Sequence, residues 1–220
     1  MIGQQSSNGK YQVMPFPRAR RLITDVGALG KNKPVIRGLL EIDVTKPRQF
    51  IREHKERTGE SLSFTAFLTA CVGRAVDGDK NLHAYRDWRG RLILYEEVDI
   101  ATMIEVKKDG KKFPVGHIVR AANQKSFREI HEEIRETQAK PMGSQEVKRL
   151  YSFNTLPGFI RRFFLRILDR SPHWVKRYKG TVMLTAVGMF GKGGGWGMSL
   201  PSHTLGITVG GIEEKPGVVD

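Results

Sequence analysis

The sequence predicts an α/β protein in which a mixed sheet carries helices on one face. Apolar runs rich in β-branched residues, at 181–187 and 204–209, are typical of buried strands. Between other strand-like runs, residues 64–76 repeat apolar side chains at helical spacing, and Ser126 with Glu129 forms a capping box that begins another helix. Strands and helices that alternate along one chain are typical of layered α/β folds.

The first third of the chain begins with a lead-in at residues 1–17. Residues 18–29 then predict a short helix closed by Gly30. The run 34–44 alternates loosely and predicts a strand, and Thr45 is a plausible cap for a helix at 47–57. The helix at 64–76 is expected to be a core element. Its apolar stripe comprises Phe64, Phe67, Leu68, Cys71 and Ala75.

The middle of the chain predicts three further strands and one helix. Residues 81–96 predict a hairpin with Gly90 in its turn, and 98–107 a longer strand. A turn at Asp109 and Gly110 leads into a strand at 113–121. The capping-box helix follows, and its buried stripe is expected to comprise Phe127, Ile130 and Ile134.

Size and charge limit the classes of protein and partner. The 220 residues are enough for one sizeable domain, taken here as 18–220. Lys and Arg number 37 against 23 Asp and Glu, and the net charge of +14 favours an anionic partner: nucleic acid, a membrane surface, or a phosphorylated cofactor such as CoA. Charge alone does not choose among them.

Cysteine usage and the N-terminus indicate the compartment. The single Cys71 excludes an internal disulfide, and its place in an apolar run predicts a buried, inert thiol. The N-terminus has no apolar core of signal-peptide length, and no run of 18 apolar residues occurs. We therefore expect a cytoplasmic protein.

A basic amphipathic segment at 144–180 holds nine basic residues against two acidic ones. One predicted helical face carries the large apolar side chains Phe159, Ile160, Phe163, Phe164, Ile167 and Leu168, and another carries Arg161, Arg162, Arg166 and Arg170. Such a helix can lie on an anionic membrane, cap the domain or a subunit interface with its arginines in water, or guide the phosphates of CoA. The sequence leaves these alternatives open.

Several familiar motifs fail on inspection. The glycine cluster around Lys192 is not a phosphate loop, because Gly193 follows the lysine where Ser or Thr is required. His131 and Glu132 begin like a zinc-protease motif, but Arg135 stands where the second histidine must be, so we expect no metal site. No helix-turn-helix or RNA-binding strand pattern occurs, and we expect no specific nucleic-acid binding.

The glycine-rich loop between the last two predicted strands is the candidate chemical site. Thr185 lies near the end of the first of these strands, three residues before Gly188. A hydroxyl held there can donate a hydrogen bond to the oxyanion of an acyl-transfer intermediate. The simpler interpretation is a β-branched strand residue bonded to a neighbouring carbonyl.

The last part of the sequence resembles the catalytic domain of the dihydrolipoyl acyltransferases of 2-oxo-acid dehydrogenase complexes. The resemblance is carried by residues 184–191, which read LTAVGMFG, by Pro201, and by the run LGITVG at 205–210. That family is similar in fold to chloramphenicol acetyltransferase, a two-layer sandwich. The resemblance places Thr185 on the family's oxyanion-stabilising hydroxyl and Gly188, Met189 and Phe190 at the substrate or CoA pocket. It also implies that Arg20 supports the site through an acidic partner, that acyl-CoA or an acyl-lipoyl group is the substrate, and that the protein is a homotrimer.

The sequence departs from the family in two respects. The family's general base is a histidine in an H-x-x-x-D-G motif after the final V-G strand, and no such motif occurs here. We expect either a truncated acyltransferase, which is the favoured interpretation, or a naturally shortened relative. No swinging lipoyl module precedes the domain, so no lipoyl attachment is expected on this chain. The resulting hypothesis is a CoA-dependent acyltransferase that is inactive without the histidine. The alternative is a non-catalytic trimeric scaffold of the same fold, for which the basic helix offers a means of binding membranes.

Overall fold

The computed structural model describes residues 14–31, 33–108, 111–139, 152–186 and 194–216. Its helices are α1 (Arg18–Gly30), α2 (Thr45–Thr58), α3 (Phe64–Gly78), α4 (Phe127–Ala139), α5 (Gly158–Leu168) and α6 (Pro172–Lys179). Its strands are β1 (Tyr85–Arg86), β2 (Leu92–Ile93), β3 (Ile100–Lys108), β4 (Lys111–Val119), β5 (Val182–Ala186) and β6 (Leu205–Val209). This element order confirms the predicted α/β class.

The main sheet of the described residues is mixed and has the strand order β4-β3-β5-β6. β3 pairs antiparallel with β4 as a long hairpin, whereas β5 runs parallel to both β3 and β6. β1 and β2 form a separate antiparallel ribbon whose turn contains Gly90 at φ 78°. The predicted hairpin is therefore confirmed, with shorter strands than expected.

The core lies between the main sheet and the helices α3 and α4. Ile100, Val119 and Val182 are fully buried at the centre of the sheet, and they pack in one cluster with Ile130 and Ile134 of α4. The predicted capping box begins α4: the backbone N–H of Ser126 donates to Glu129 Oε2 at 2.7 Å, and the N–H of Glu129 donates to Ser126 Oγ at 3.3 Å. Helices therefore cover one sheet face, as the sequence predicts.

The buried face of α3 differs from the predicted one. Small and medium side chains are buried, while Cys71 and Ala75 are exposed, so the prediction of a buried thiol is wrong. The buried residues are Ala66, Thr69, Ala70, Gly73 and Val76. The physical reason is close packing: a Cβ on Gly73 would lie 2.9 Å from the backbone of Ala122, so this face of the helix admits only small side chains at that point. Phe64 and Phe67 are partly buried.

Residues 34–44 form no strand, which corrects the prediction made from their alternation. Ile36 is 101% exposed and Leu40 78% exposed, and no described strand pairs with this run. A loosely alternating sequence fits an extended chain, but a strand also needs a neighbour with which to exchange hydrogen bonds. The following α2 begins at Thr45 rather than after it, because the Asp43 carboxylate accepts the Thr45 N–H at 2.8 Å.

The basic segment folds into α5 and α6, and one of its arginines is not in water. Arg161 is 5% exposed and donates from Nε to the buried Asp25 Oδ2 of α1 at 2.7 Å. Meanwhile Phe159 and Phe163 are exposed. The expectation that all the arginines of a capping helix face solvent is therefore wrong for Arg161, because α1 supplies a carboxylate at the helix contact.

Candidate active site

A buried hydrogen-bond network aligns the start of β5 with β3. The Thr181 N–H donates to the Asp99 carbonyl at 2.7 Å, and the Asp99 N–H donates to Thr181 Oγ1 at 3.1 Å. Gly180, at φ 81°, permits this approach, because a Cβ there would lie 2.8 Å from the Asp99 carbonyl oxygen. The direction of β5, and hence the position of Thr185, is set by these contacts.

Thr185 lies on the sheet face opposite the helices. Val182 and Leu184 point into the core, and strand alternation directs Met183 and Thr185 to the other face, where both are partly exposed. Among the described residues, the Thr185 hydroxyl has no hydrogen-bond partner. Within that part of the chain the hydroxyl forms no bond to a neighbouring carbonyl, and a partly exposed hydroxyl in this position can donate to a ligand.

Thr208 is a second hydroxyl that the sequence reasoning missed. It is the register partner of Thr185 in the parallel β5–β6 pair, so the two side chains share one face about 5 Å apart. Each threonine is the fourth residue of its five-residue strand. This matching position in two neighbouring predicted strands is the sequence signal that could have found Thr208.

Glycine backbone closes over the end of β6 beside this pair. The Gly211 N–H donates to the Gly195 carbonyl at 2.9 Å, and a Cβ on Gly210 would lie 2.1 Å from that same oxygen. The second half of the glycine loop therefore crosses the chain just after Thr208. The predicted pocket residues Gly188, Met189 and Phe190 lie outside the described residues.

None of the chain's six histidines has a hydrogen bond or an ion pair to Thr185. His203 is the nearest in sequence to β6, and its Nε2–H donates to the Lys179 carbonyl at 2.8 Å while its Nδ1 accepts from the Ser202 hydroxyl at 2.8 Å. Burial lowers the pKa of His203 to about 4, so its ring is neutral near pH 7. Both ring nitrogens of His203 therefore already form hydrogen bonds within the protein.

Arg20 does not show the predicted supporting contact. Its side chain is exposed on α1, and it has no ion pair within the described ranges. The acidic partner that the resemblance implies belongs to a motif that this sequence lacks. The buried arginine–carboxylate pair of this region is instead formed by Arg161 and Asp25.

Metal-binding clusters and membrane-spanning helices are both absent from the part of the chain that the structure describes. No group of three or more His, Cys, Asp or Glu side chains is arranged to hold a metal ion within those ranges. In the same ranges, none of the helices combines the length and the apolar character needed to cross a bilayer.

Comparison with protein-family models and with curated protein sequences gives no match. Solved structures do match. A probable dihydrolipoamide acetyltransferase from Listeria monocytogenes has 20% identity and a TM-score of 0.66, with 98% of this chain and 80% of that chain covered. A truncated catalytic core of the 2-oxoacid dehydrogenase multienzyme complex from Thermoplasma acidophilum has 20% identity and a TM-score of 0.63, with 93% and 82% covered.

A third similar structure is the dihydrolipoamide acetyltransferase of Azotobacter vinelandii, with 15% identity, a TM-score of 0.59, and 90% of this chain and 71% of that chain covered. Its description concerns the role of a serine, a histidine and an asparagine in the catalytic mechanism of that enzyme. These likenesses show that the chain has the fold of dihydrolipoamide acetyltransferase catalytic cores.

Proposed function

From this shared fold we propose that the chain is an acyltransferase in which the Thr185 hydroxyl stabilises the oxyanion of a thioester-exchange reaction. In this reaction a thiolate attacks the thioester carbonyl carbon, and the electron pair of the C=O bond moves to oxygen. The tetrahedral intermediate then expels the original thiolate, which takes up a proton. A hydroxyl aimed at the developing charge lowers the barrier to the first step.

The observation that carries this proposal is the position of the Thr185 hydroxyl, which lies on the partly exposed sheet face near the end of an anchored strand and has no hydrogen-bond partner among the residues that the structure describes. A strand residue is held more rigidly than a loop residue, and a donor held in position needs little reorganisation when charge develops. Thr208 provides a second hydroxyl on the same face, and we assign it a role in orienting the thioester.

We propose CoA and a dihydrolipoyl group as the two thiols, with Gly188, Met189 and Phe190 lining the acyl or CoA pocket and Arg20 supporting the site. The family resemblance supports these assignments, and the net charge of +14 is compatible with binding the phosphates of CoA. We further propose a homotrimer with the site between subunits, as the resemblance implies.

The proton of the attacking thiol needs an acceptor, and the contacts of the six histidines do not supply one at Thr185. Without a general base, the rate should follow the concentration of thiolate formed in solution. At pH values below the pKa of the attacking thiol, the rate would then rise by about tenfold for each pH unit. A rate that is already constant at pH 7 would instead reveal a base within the protein.

The test is acyl transfer from acetyl-CoA to dihydrolipoamide, with Thr185→Val as the isosteric variant that lacks the hydroxyl. We expect the slow turnover that proceeds without a histidine base to fall by about 10²- to 10³-fold, and Thr185→Ser to keep most of it. Thr24→Val is the matched control, because Thr24 lies on the exposed side of α1 and its hydroxyl donates to the Arg21 carbonyl at 2.7 Å. Normal turnover in folded Thr185→Val would refute the assigned role.

A second candidate function is a non-catalytic scaffold of the same fold. It is favoured by the lack of a histidine contact at Thr185 and by the exposed apolar run that includes Ile36, Leu40 and Ile42, which suits assembly. A wild-type chain that forms a stable oligomer in light scattering, yet shows no acyl transfer at any pH up to 9, would support the scaffold against the enzyme.

A further inference from the structure

An exposed strip on α5 combines phenylalanine with arginine. Phe159 is 69% exposed and Phe163 61% exposed, and Arg162 and Arg166 are exposed beside them. Together with Ile160, these four side chains line an open depression of about 480 Å³. We define this set of five residues as the α5 strip.

Arg161 of the same helix is instead buried inside the protein. Arg161 faces α1, where it binds Asp25. It also donates to the carbonyl of Leu156, which lies just before α5 in the chain. The helix therefore buries a paired arginine and leaves Phe159, Phe163 and Phe164 exposed to water. Because water-exposed aromatic surface is unfavourable, the strip has the composition of a surface that another phase or partner covers.

Charge indicates what kind of partner fits. Residues 152–179 hold seven Lys and Arg against one acidic residue, Asp169. Lys33 and Lys179 both bind Asp169, and Arg162 lies 3.9 Å from an Asp25 carboxylate oxygen, whereas Arg166 and Arg170 have no ion pair within the described residues. The following α6 adds exposed Trp174 and Tyr178. Basic and aromatic residues side by side match the boundary of a membrane, where phosphates lie a few ångströms from the acyl chains.

We propose that the α5 strip binds the surface of an anionic phospholipid bilayer, with α5 lying in the plane of the membrane. In this position the two phenylalanines enter the acyl boundary, and Arg162 and Arg166 contact lipid phosphates. At 11 residues α5 is about 16 Å long, which is too short to cross the bilayer. Binding to the phosphates of CoA alone would leave the phenylalanines in water, so a lipid surface accounts for more of the strip.

The test is co-sedimentation of the full chain with phosphatidylcholine vesicles that contain zero or 30% phosphatidylserine. We expect binding to the anionic vesicles only, with a partition coefficient that falls as salt increases. Arg162→Gln with Arg166→Gln should lower that coefficient by about thirtyfold, which is about fivefold for each charge. Phe159→Ala with Phe163→Ala should lower it by at least about tenfold.

A matched control is available on α2. Phe50 is 56% exposed and Arg52 is exposed, so Phe50→Ala with Arg52→Gln removes the same two kinds of side chain from another surface. This control should bind vesicles like the wild type. If the control lowered the partition coefficient as much as the α5 strip variants do, the binding would be a diffuse attraction by net charge, and the proposal would be overturned.

Three other results would also overturn it. One is failure of the wild type to bind anionic vesicles at low salt. The second is loss of CoA affinity, without loss of vesicle binding, in the α5 strip variants, which would assign the arginines to that cofactor. The third is dissociation of a wild-type oligomer by the same variants in sedimentation equilibrium, which would make the strip a contact between protein copies. All the substituted side chains are exposed, and circular dichroism checks that the variants fold.

Discussion

Arg161 and Asp25 form a charged pair inside the contact between α1 and α5, and each side chain is about nineteen-twentieths buried. The pair has good geometry, and Arg161 also satisfies the carbonyls of Leu156 and Asn154. Removal of one partner would leave a buried charge without compensation, whereas the exposed neighbour Arg162 lies 3.9 Å from the other carboxylate oxygen and contributes little.

Arg161→Ala is therefore expected to lower the free energy of unfolding by about 3 to 5 kcal/mol, measured by urea denaturation at pH 7. Arg162→Ala is the control and should change it by less than about 1 kcal/mol. The double variant Asp25→Leu with Arg161→Met should recover most of the loss, because no unpaired charge remains. Equal effects of the two single arginine variants would contradict this account of α5.

At the scale of the element, α3 shows how one residue without a side chain sets a packing distance. Gly73 faces the turn at Ala122 and Asn123, and a Cβ at this position would lie 2.9 Å from the Ala122 carbonyl carbon and oxygen. Gly78 ends the same helix, and its Cβ position faces open space. The two glycines therefore lie in opposite environments, one tightly packed and one open, within the same helix.

Gly73→Ala is expected to destabilise the protein by about 1 to 3 kcal/mol, because the backbone of the turn must move to admit the methyl group. Gly78→Ala should be neutral or stabilising by up to about 1 kcal/mol, since alanine restricts the unfolded chain more than glycine does. Thermal unfolding of both variants gives the comparison. A Gly73→Ala protein as stable as Gly78→Ala would show that α3 does not approach Ala122 this closely.

At the scale of the whole molecule, the buried histidines couple stability to pH. Burial lowers the pKa of His83, of His131 and most strongly of His203, whose pKa falls from 6.5 to about 4. In the unfolded chain His203 binds a proton near pH 6.5, whereas in the folded protein it does so only near pH 4. The stability that neutral His203 contributes is thus present above pH 6.5 and is lost as the pH falls through that interval.

We expect the free energy of unfolding to decrease between pH 6.5 and pH 4, with a share from His203 on the order of 3 kcal/mol. His203→Gln should be less stable than the wild type at pH 7 but should lose less stability over this interval. Urea denaturation at half-unit pH steps measures both slopes. The exposed His173 supplies the control, since His173→Gln should keep the wild-type slope; if His203→Gln also keeps it, another group controls the acid response.

Local patterns were sufficient for much of the fold. The capping box of Ser126 and Glu129, the Gly90 hairpin and the strands β3 to β6 are consequences of nearby residues, and the structure confirms them. The run 34–44 and the buried face of α3 were predicted wrongly, because strand pairing and packing distance depend on what lies opposite. For the candidate site, position 185 followed from the motif, whereas its register with Thr208 did not.

By itself the sequence determined the class of fold, the order of its elements, the basic character of 144–180 and Thr185 as the candidate hydroxyl, because periodicity, caps and motifs are properties of neighbouring residues. Only the tertiary structure decided that Arg161 is buried against Asp25, that Cys71 is exposed, that Phe159 and Phe163 face solvent, and that Thr208 lies beside Thr185. Each of these depends on contacts between residues far apart in the chain. Periodicity shows that a helix or strand has different faces, but only these contacts decide which face is buried.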